Sequence, residues 1–273
     1  DSITIGTSIS KEITISDGTL NTNGYPIRTG GFDVSNDATV NLSSSHLYLY
    51  WGFNAFNTTN FNADNSTIHI RSYGSSYSIN TFNNPIHNVI VESQYNTLIK
   101  GTGEFNNITI TGPGGPNVLE DVNADTVILS PGNHLEIDGT LQVNNYFEID
   151  GNCSEISLLS GGTISSSSAD IIVNYTSIEN NTASGSANFI ANFSNDVVGN
   201  SGWEINSSVS RDYYWVNDQG NWSDGNHWAL SSGGSPSGCI PGPNDNVFFD
   251  SSSFTINGQF VKIIDYAAQC NSM

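Results

Sequence analysis

Between Asp125 and Gly151 the chain reads DTVILSPGNHLEIDGTLQVNNYFEIDG, and this stretch restricts the available folds more than any other. It holds four short apolar pairs: Val127 with Leu129, Leu135 with Ile137, Leu141 with Val143, and Phe147 with Ile149. One residue separates the members of each pair, and SPGN, DG and NN fall between the pairs. Alternation over three or four residues is the period-2 signal of a strand with one buried face. No apolar set at helical spacing competes with it. Strands this short cannot bury a face alone, and stacking them as coils of a solenoid is the simplest remedy.

The same texture fills Ile3 to Ile205, in pairs such as Ile3/Ile5, Ile13/Ile15, Phe32/Val34, Val40/Leu42, Leu47/Leu49, Ile68/Ile70, Val89/Val91, Ile108/Ile110 and Ile171/Val173. Gly, Asn, Asp and Ser punctuate it, as turns require. An internal echo supports coils: ITISDGTLNT from Ile13 lies on LEIDGTLQV from Leu135, and FDVSNDATVNL from Phe32 lies on FEIDGNCSEISL from Phe147. Apolar positions recur roughly every 20 residues, which suits one three-sided coil. The expected fold is an all-β, right-handed parallel β-helix over 1–206, with asparagine amides laddering at the turns. A β-sandwich of hairpins is the competing architecture.

Charge excludes several partners. Six Lys+Arg stand against 26 Asp+Glu in 273 residues, a formal net charge of −20. A phosphate backbone or an anionic membrane would be repelled, so nucleic acid is not an expected partner. No run of 18 apolar residues exists, so no membrane insertion is expected. Low charge content with abundant Ser, Thr and Asn fits a secreted β-protein. The opening DSITIGTS and the closing AAQCNSM carry no start or stop signal, and both ends are expected to be cuts through a longer chain. Cys153, Cys239 and Cys270 match no zinc or redox motif. Two readings stand for them: a Cys239–Cys270 disulfide with Cys153 odd, or three buried thiols.

After Trp203 the texture changes. Tyr213, Tyr214, Trp215, Trp222 and Trp228 crowd into one short segment, so a small Trp-rich β unit is expected over 207–273, behind the polar linker Asn206 to Asp212. Exposed Trp215, Trp222 and Trp228 would suit glycan contact, whereas buried they would form the core of a unit poor in aliphatics. Asp218, Asp224, Asp245 and Asp250, with Asn217 and Asn244, offer hard oxygen ligands for Ca²⁺, although no EF-hand or nonapeptide loop is present. For catalysis, a β-helix hydrolase or lyase needs acids and a cation gathered on one face. The cations Lys11, Arg28, Arg71, Lys100, Arg211 and Lys262 look dispersed, and His46, His69, His87, His134 and His227 sit without a nucleophile motif. No enzyme and no required cofactor are expected.

The segment YYWVNDQGNWSDGNHWALSSGGSPSGCIPGPNDNVFFDSSSFT resembles a recurring unit of very long secreted proteins of Bacteroidetes. The matching positions are Trp215, Gly220, Asn221, Trp222, Ser223, Asp224, His227, Trp228, Cys239, Pro241, Asp245, Asn246, Val247, Phe249 and Asp250. Asn217-Asp218-Gln219 ahead of Gly220 departs mildly from the pattern. The upstream text ending in Gly202-Trp203-Glu204-Ile205 looks like the solenoid that precedes such a unit. The resemblance implies a non-enzymatic, adhesin-like or gliding-motility segment at the cell surface. Its expected partners are the type IX secretion machinery during export and extracellular polysaccharide or other surfaces. It also implies that Val261 to Met273 opens the next unit. In the same phylum an O-glycosylation pattern fits Ser2 in Asp1-Ser2-Ile3 and Thr126 in Asp125-Thr126-Val127, so a glycoprotein is expected.

Overall fold

The computed structural model describes residues 11–35, 37–55, 60–72, 77–113, 115–263 and 268–273, together with the backbone of 3–4. The pair member Ile5 lies outside the described residues. About 54% of the chain is strand, and parallel coils stack into a β-solenoid of about nine turns. The sandwich alternative fails on strand direction: neighbouring solenoid strands pair in parallel throughout.

Each coil has three faces. On the first face, Leu47, Ile68, Val89, Ile108, Val127 and Phe147 stand in register one above another. Beside them runs a second inward column of Leu49, Ile70, Val91, Ile110, Leu129 and Ile149. All are buried, so period-2 alternation has sorted apolar residues inward on every rung. The second face stacks Phe32, Phe53, Ile79, Ile99, Leu119 and Ile137. The third face carries Val122, Leu141 and Ile164. Most steps along a column span 18 to 21 residues, as between Ile70, Val91, Ile110, Leu129 and Ile149. A burial of this kind contributes about 1.5–3 kcal/mol per large side chain.

The strand His134–Asp150 takes in three of the four pairs without a break. The expected turns at Asp138-Gly139 and Asn144-Asn145 are bends within it. Gly139 bends the chain at φ +81°, beside the Asp121 carboxylate that accepts the Thr140 N–H at 3.0 Å. Amide ladders form, but on outward strand positions: Asn107 donates to Asn88 at 2.7 Å and Asn144 to Asn123 at 2.9 Å. At corners the amides bond backbone instead, as Asn181 does to Gly161 O at 2.6 Å.

Half of the internal echo holds. Ile13/Ile15 and Leu135/Ile137 both lie on the second face, and Leu20 and Leu141 both follow onto the third. Phe32/Val34 lie on the second face, however, while Phe147/Ile149 lie on the first. The alternation repeats once per face as well as once per coil, so the second half of that alignment slipped by one face.

The last rung is Glu204–Asn206. Trp203 packs edge-on against Phe189 at 5.7 Å, and its Nε1 donates to Asn181 Oδ1 at 2.9 Å, covering the end of the core. The small unit begins with Asp212–Trp215, which pairs antiparallel with Trp228–Ala229 and parallel with Asn246–Phe248. Val261–Lys262 pairs with Gly220–Asn221, and Ser272 O accepts from Val247 N at 2.8 Å, so these residues pair within this same unit.

The expected Cys239–Cys270 pairing is corrected. Cys153, in the solenoid corner before Ser157, is bonded to Cys239, and Cys270 is free and half-buried. The small unit folds back against the solenoid flank: Ile240 N donates to Cys153 O at 2.9 Å, and Asn244 reaches Asn195 at 3.3 Å. Docking of the small unit on the solenoid is what brings Cys239 to Cys153.

Candidate functional site

On the outward side of the first face, strands three and four coils deep bring together residues that look scattered in the sequence. Arg28, Tyr48 and His69 occupy one outward column. The Arg28 guanidinium lies 4.5 Å from the Tyr48 ring centroid, and that of Arg71 lies 4.6 Å from it. The His69 ring stacks on Tyr48 at 4.5 Å. Arg71 Nε also donates to Glu92 Oε2 at 2.7 Å. The dispersed-cation expectation is therefore corrected for Arg71, and Lys100 also has a carboxylate, Glu120, at 3.9 Å. The signal was present as spacing: Arg71 and Glu92 are 21 residues apart, one coil length.

Proton positions follow from the partners. The Arg71 guanidinium holds the Glu92 carboxyl below its ordinary pKa, so Glu92 is an acceptor. Burial lowers the His69 pKa despite Glu92, so at neutral pH the imidazole is uncharged and its Nδ1–H donates to Glu92 at 3.2 Å. His69 Nε2 then accepts from His46 Nδ1–H at 3.0 Å. The result is a carboxylate–imidazole–imidazole chain running from Glu92 to the exposed His46. Its three groups are strung in a line rather than converged on one point, so it is not a metal cage.

Of the two uses weighed for Trp215, Trp222 and Trp228, the structure shows the core. All three rings are buried, and they interlock edge to face, with Trp228 at 4.9 Å from Trp215 and 4.8 Å from Trp222. Trp228 Nε1 donates to Trp222 O, Trp215 Nε1 donates to Asp218 O, and the His227 ring lies flat against Trp215 at 4.7 Å. A unit with so few aliphatics spends its aromatics on its own core.

The four aspartates advanced for calcium do not converge. Asp218 accepts from Thr255 N and Oγ1, Asp224 caps Asn226 N, and Asp250 accepts from Ser252 N. Asp245 is nearly buried and accepts from Arg211 N and Gly242 N, both at 2.8 Å, which ties the linker to the loop after Cys239. Among the described residues no group of three or more His, Cys, Asp or Glu side chains is placed to hold a metal ion. Of the two glycosylation positions, Ser2 lies outside the described residues, and Thr126 is half-exposed on an outward strand position.

A cleft of about 200 Å³ lies between solenoid and small unit, walled by Tyr175, Phe193, Val209, Arg211 and Tyr213 beside the disulfide. Ligand pockets usually enclose about 300–1,000 Å³. Among the described residues no helix is long and apolar enough to cross a membrane. No family model, curated protein or solved structure matches this chain.

Proposed function

We propose that this chain is a non-enzymatic, stiff structural segment of a long extracellular surface protein, one that extends an adhesive element away from the cell. The observation that carries this reading is the set of inward columns, closed by Trp203 and tied on its flank to the Trp-rich unit by Cys153–Cys239. A solenoid adds length while each coil contacts only its neighbours. A disulfide belongs to an oxidising compartment, consistent with an extracellular location. The Trp215–Asp250 resemblance extends the reading to the type IX-exported surface proteins of Bacteroidetes, with adhesion or gliding as the wider task.

Pulling single molecules from both ends tests the mechanical part. The disulfide spans 86 residues of sequence, so oxidised chains should extend about 300 Å less than reduced ones. Incubation with acidic and neutral polysaccharides tests the rest: release of new chain ends would sink the non-enzymatic reading.

A further inference from the structure

The outward side of the first face carries a pattern that neither the fold nor the proposed function requires. Thr109 lies near its middle. One rung to either side stand Ile90 and Ile128, two rungs away His69 and Glu148, and three rungs away Tyr48 and Ile172. Flanking them at matching strand positions, Arg71 on one side of Thr109 corresponds to Asp150 on the other, and His46 to Asp170. Thus an arginine and aromatic cluster, holding two of only six Lys+Arg together with the Glu92 carboxylate that pairs with Arg71, lies at one end of the face. An acidic cluster of Glu148, Asp150 and Asp170 lies at the other.

We infer that two copies of this chain pair face to face across this surface, with solenoids antiparallel and a two-fold axis lying along the strand of Thr109. Such an axis keeps position along the strand and inverts the order of the rungs, as an isologous interface requires. Ile90 then meets Ile128 of the second copy, Tyr48 meets Ile172, and Arg71 meets Asp150, each contact occurring twice. Thr109 faces itself. The charge pattern is complementary in this orientation, whereas parallel apposition would set the cationic end on the cationic end and the acidic end on the acidic end, which costs binding.

Other features agree. Ile172 and Tyr146 are 46% and 47% exposed on this face, high values for side chains on an ordered sheet. The small unit docks on a different flank, through Ser177, Asn195 and the Cys153 corner, and leaves this face uncovered. Five strand positions by about nine rungs cover on the order of 700 Å². A stable interface buries about 800 Å² per partner. The net charge of −20 opposes association at long range, but charges beyond about 8 Å are screened at physiological salt.

The test is sedimentation equilibrium of the full chain at physiological salt. A reversible dimer is expected, and Ile172→Lys, which disturbs no internal ion pair, should weaken it by about tenfold or more. Asp150→Arg and Arg71→Asp should each weaken it similarly when alone, and an equimolar mixture of the two should recover a heterodimer. Arg71→Asp removes the Glu92 pair, so its circular dichroism melt must first match the wild type within a few degrees; if it does not, Ile172→Lys and Asp150→Arg alone decide. Glu136→Arg, on the second face, should leave the dimer unchanged. A monomer up to several hundred micromolar, a dimer indifferent to Ile172→Lys and Asp150→Arg, no recovery in a mixture of two folded variants, or equal loss from Glu136→Arg would each overturn the inference.

Discussion

Gly18 and Gly139 each follow an aspartate, and each turns the chain at φ near +80°, yet their surroundings differ. A side chain at Gly18 would meet open space, whereas one at Gly139 would run into the Asp121 carboxylate. An L residue in that conformation costs about 1–2 kcal/mol on its own. Gly18→Ala should therefore lose about that amount in a denaturant titration, and Gly139→Ala measurably more. Titratable residues give a second expectation. Burial lowers the pKa of both His69 and His134, so the unfolded chain binds protons there more readily than the folded one. Their contribution is present above the ordinary histidine pKa of about 6.5 and is lost as pH falls below it. Melting temperature should fall between pH 7 and pH 5, and His134→Gln should flatten that fall. Glu92, held low by Arg71, acts in the same direction only below the ordinary carboxylate range. In the linear sequence these pairings show only as spacings near one coil length, because His46, His69 and Glu92 sit on three successive coils and meet once the coils stack in register.

At the scale of elements, the pairs from Val127 to Ile149 were readable because alternation reports directly which side of a strand is buried, and all eight residues are in the core. Which face each pair occupies was less readable. Phe32/Val34 and Phe147/Ile149 look alike as text but serve different faces, since every face asks for the same alternation. Column residues should be the costliest to trim: Leu129→Ala, in mid-stack and 1% exposed, should lose about 2–5 kcal/mol by chemical denaturation. The Trp-rich unit has its own cluster of Tyr213, Trp215, Trp222, Trp228, Ile240 and Val247. Trp228→Ala should remove about 3–5 kcal/mol there while leaving the solenoid transition nearly unchanged, seen as loss of near-ultraviolet signal ahead of the main melt. Sequence alone offered a sugar platform and a core as rival uses of these rings, and burial decided between them.

For the whole molecule, the solenoid was legible and the docking of the small unit was not, because nothing in the linear text says which flank a short unit folds against. The Cys153–Cys239 bond is the product of that docking. The corner from the first face to the second takes residues 92–96, 111–116 and 130–133 in earlier coils, but Tyr175 alone between Asn174 and Thr176. One coil below, the same corner takes the residues from Gly151 to Ile156, including Cys153, and Ile156 packs into the core of the small unit. Those residues give no side chain to the inward apolar columns. Cut back to a single residue, the corner should close as its neighbour does, and the solenoid should melt as before, while the Trp-rich unit swings free on residues 207–211. Attachment here is an accessory written into one bend, so a lineage could gain or discard it by changing a few residues, without disturbing the shaft it is fastened to.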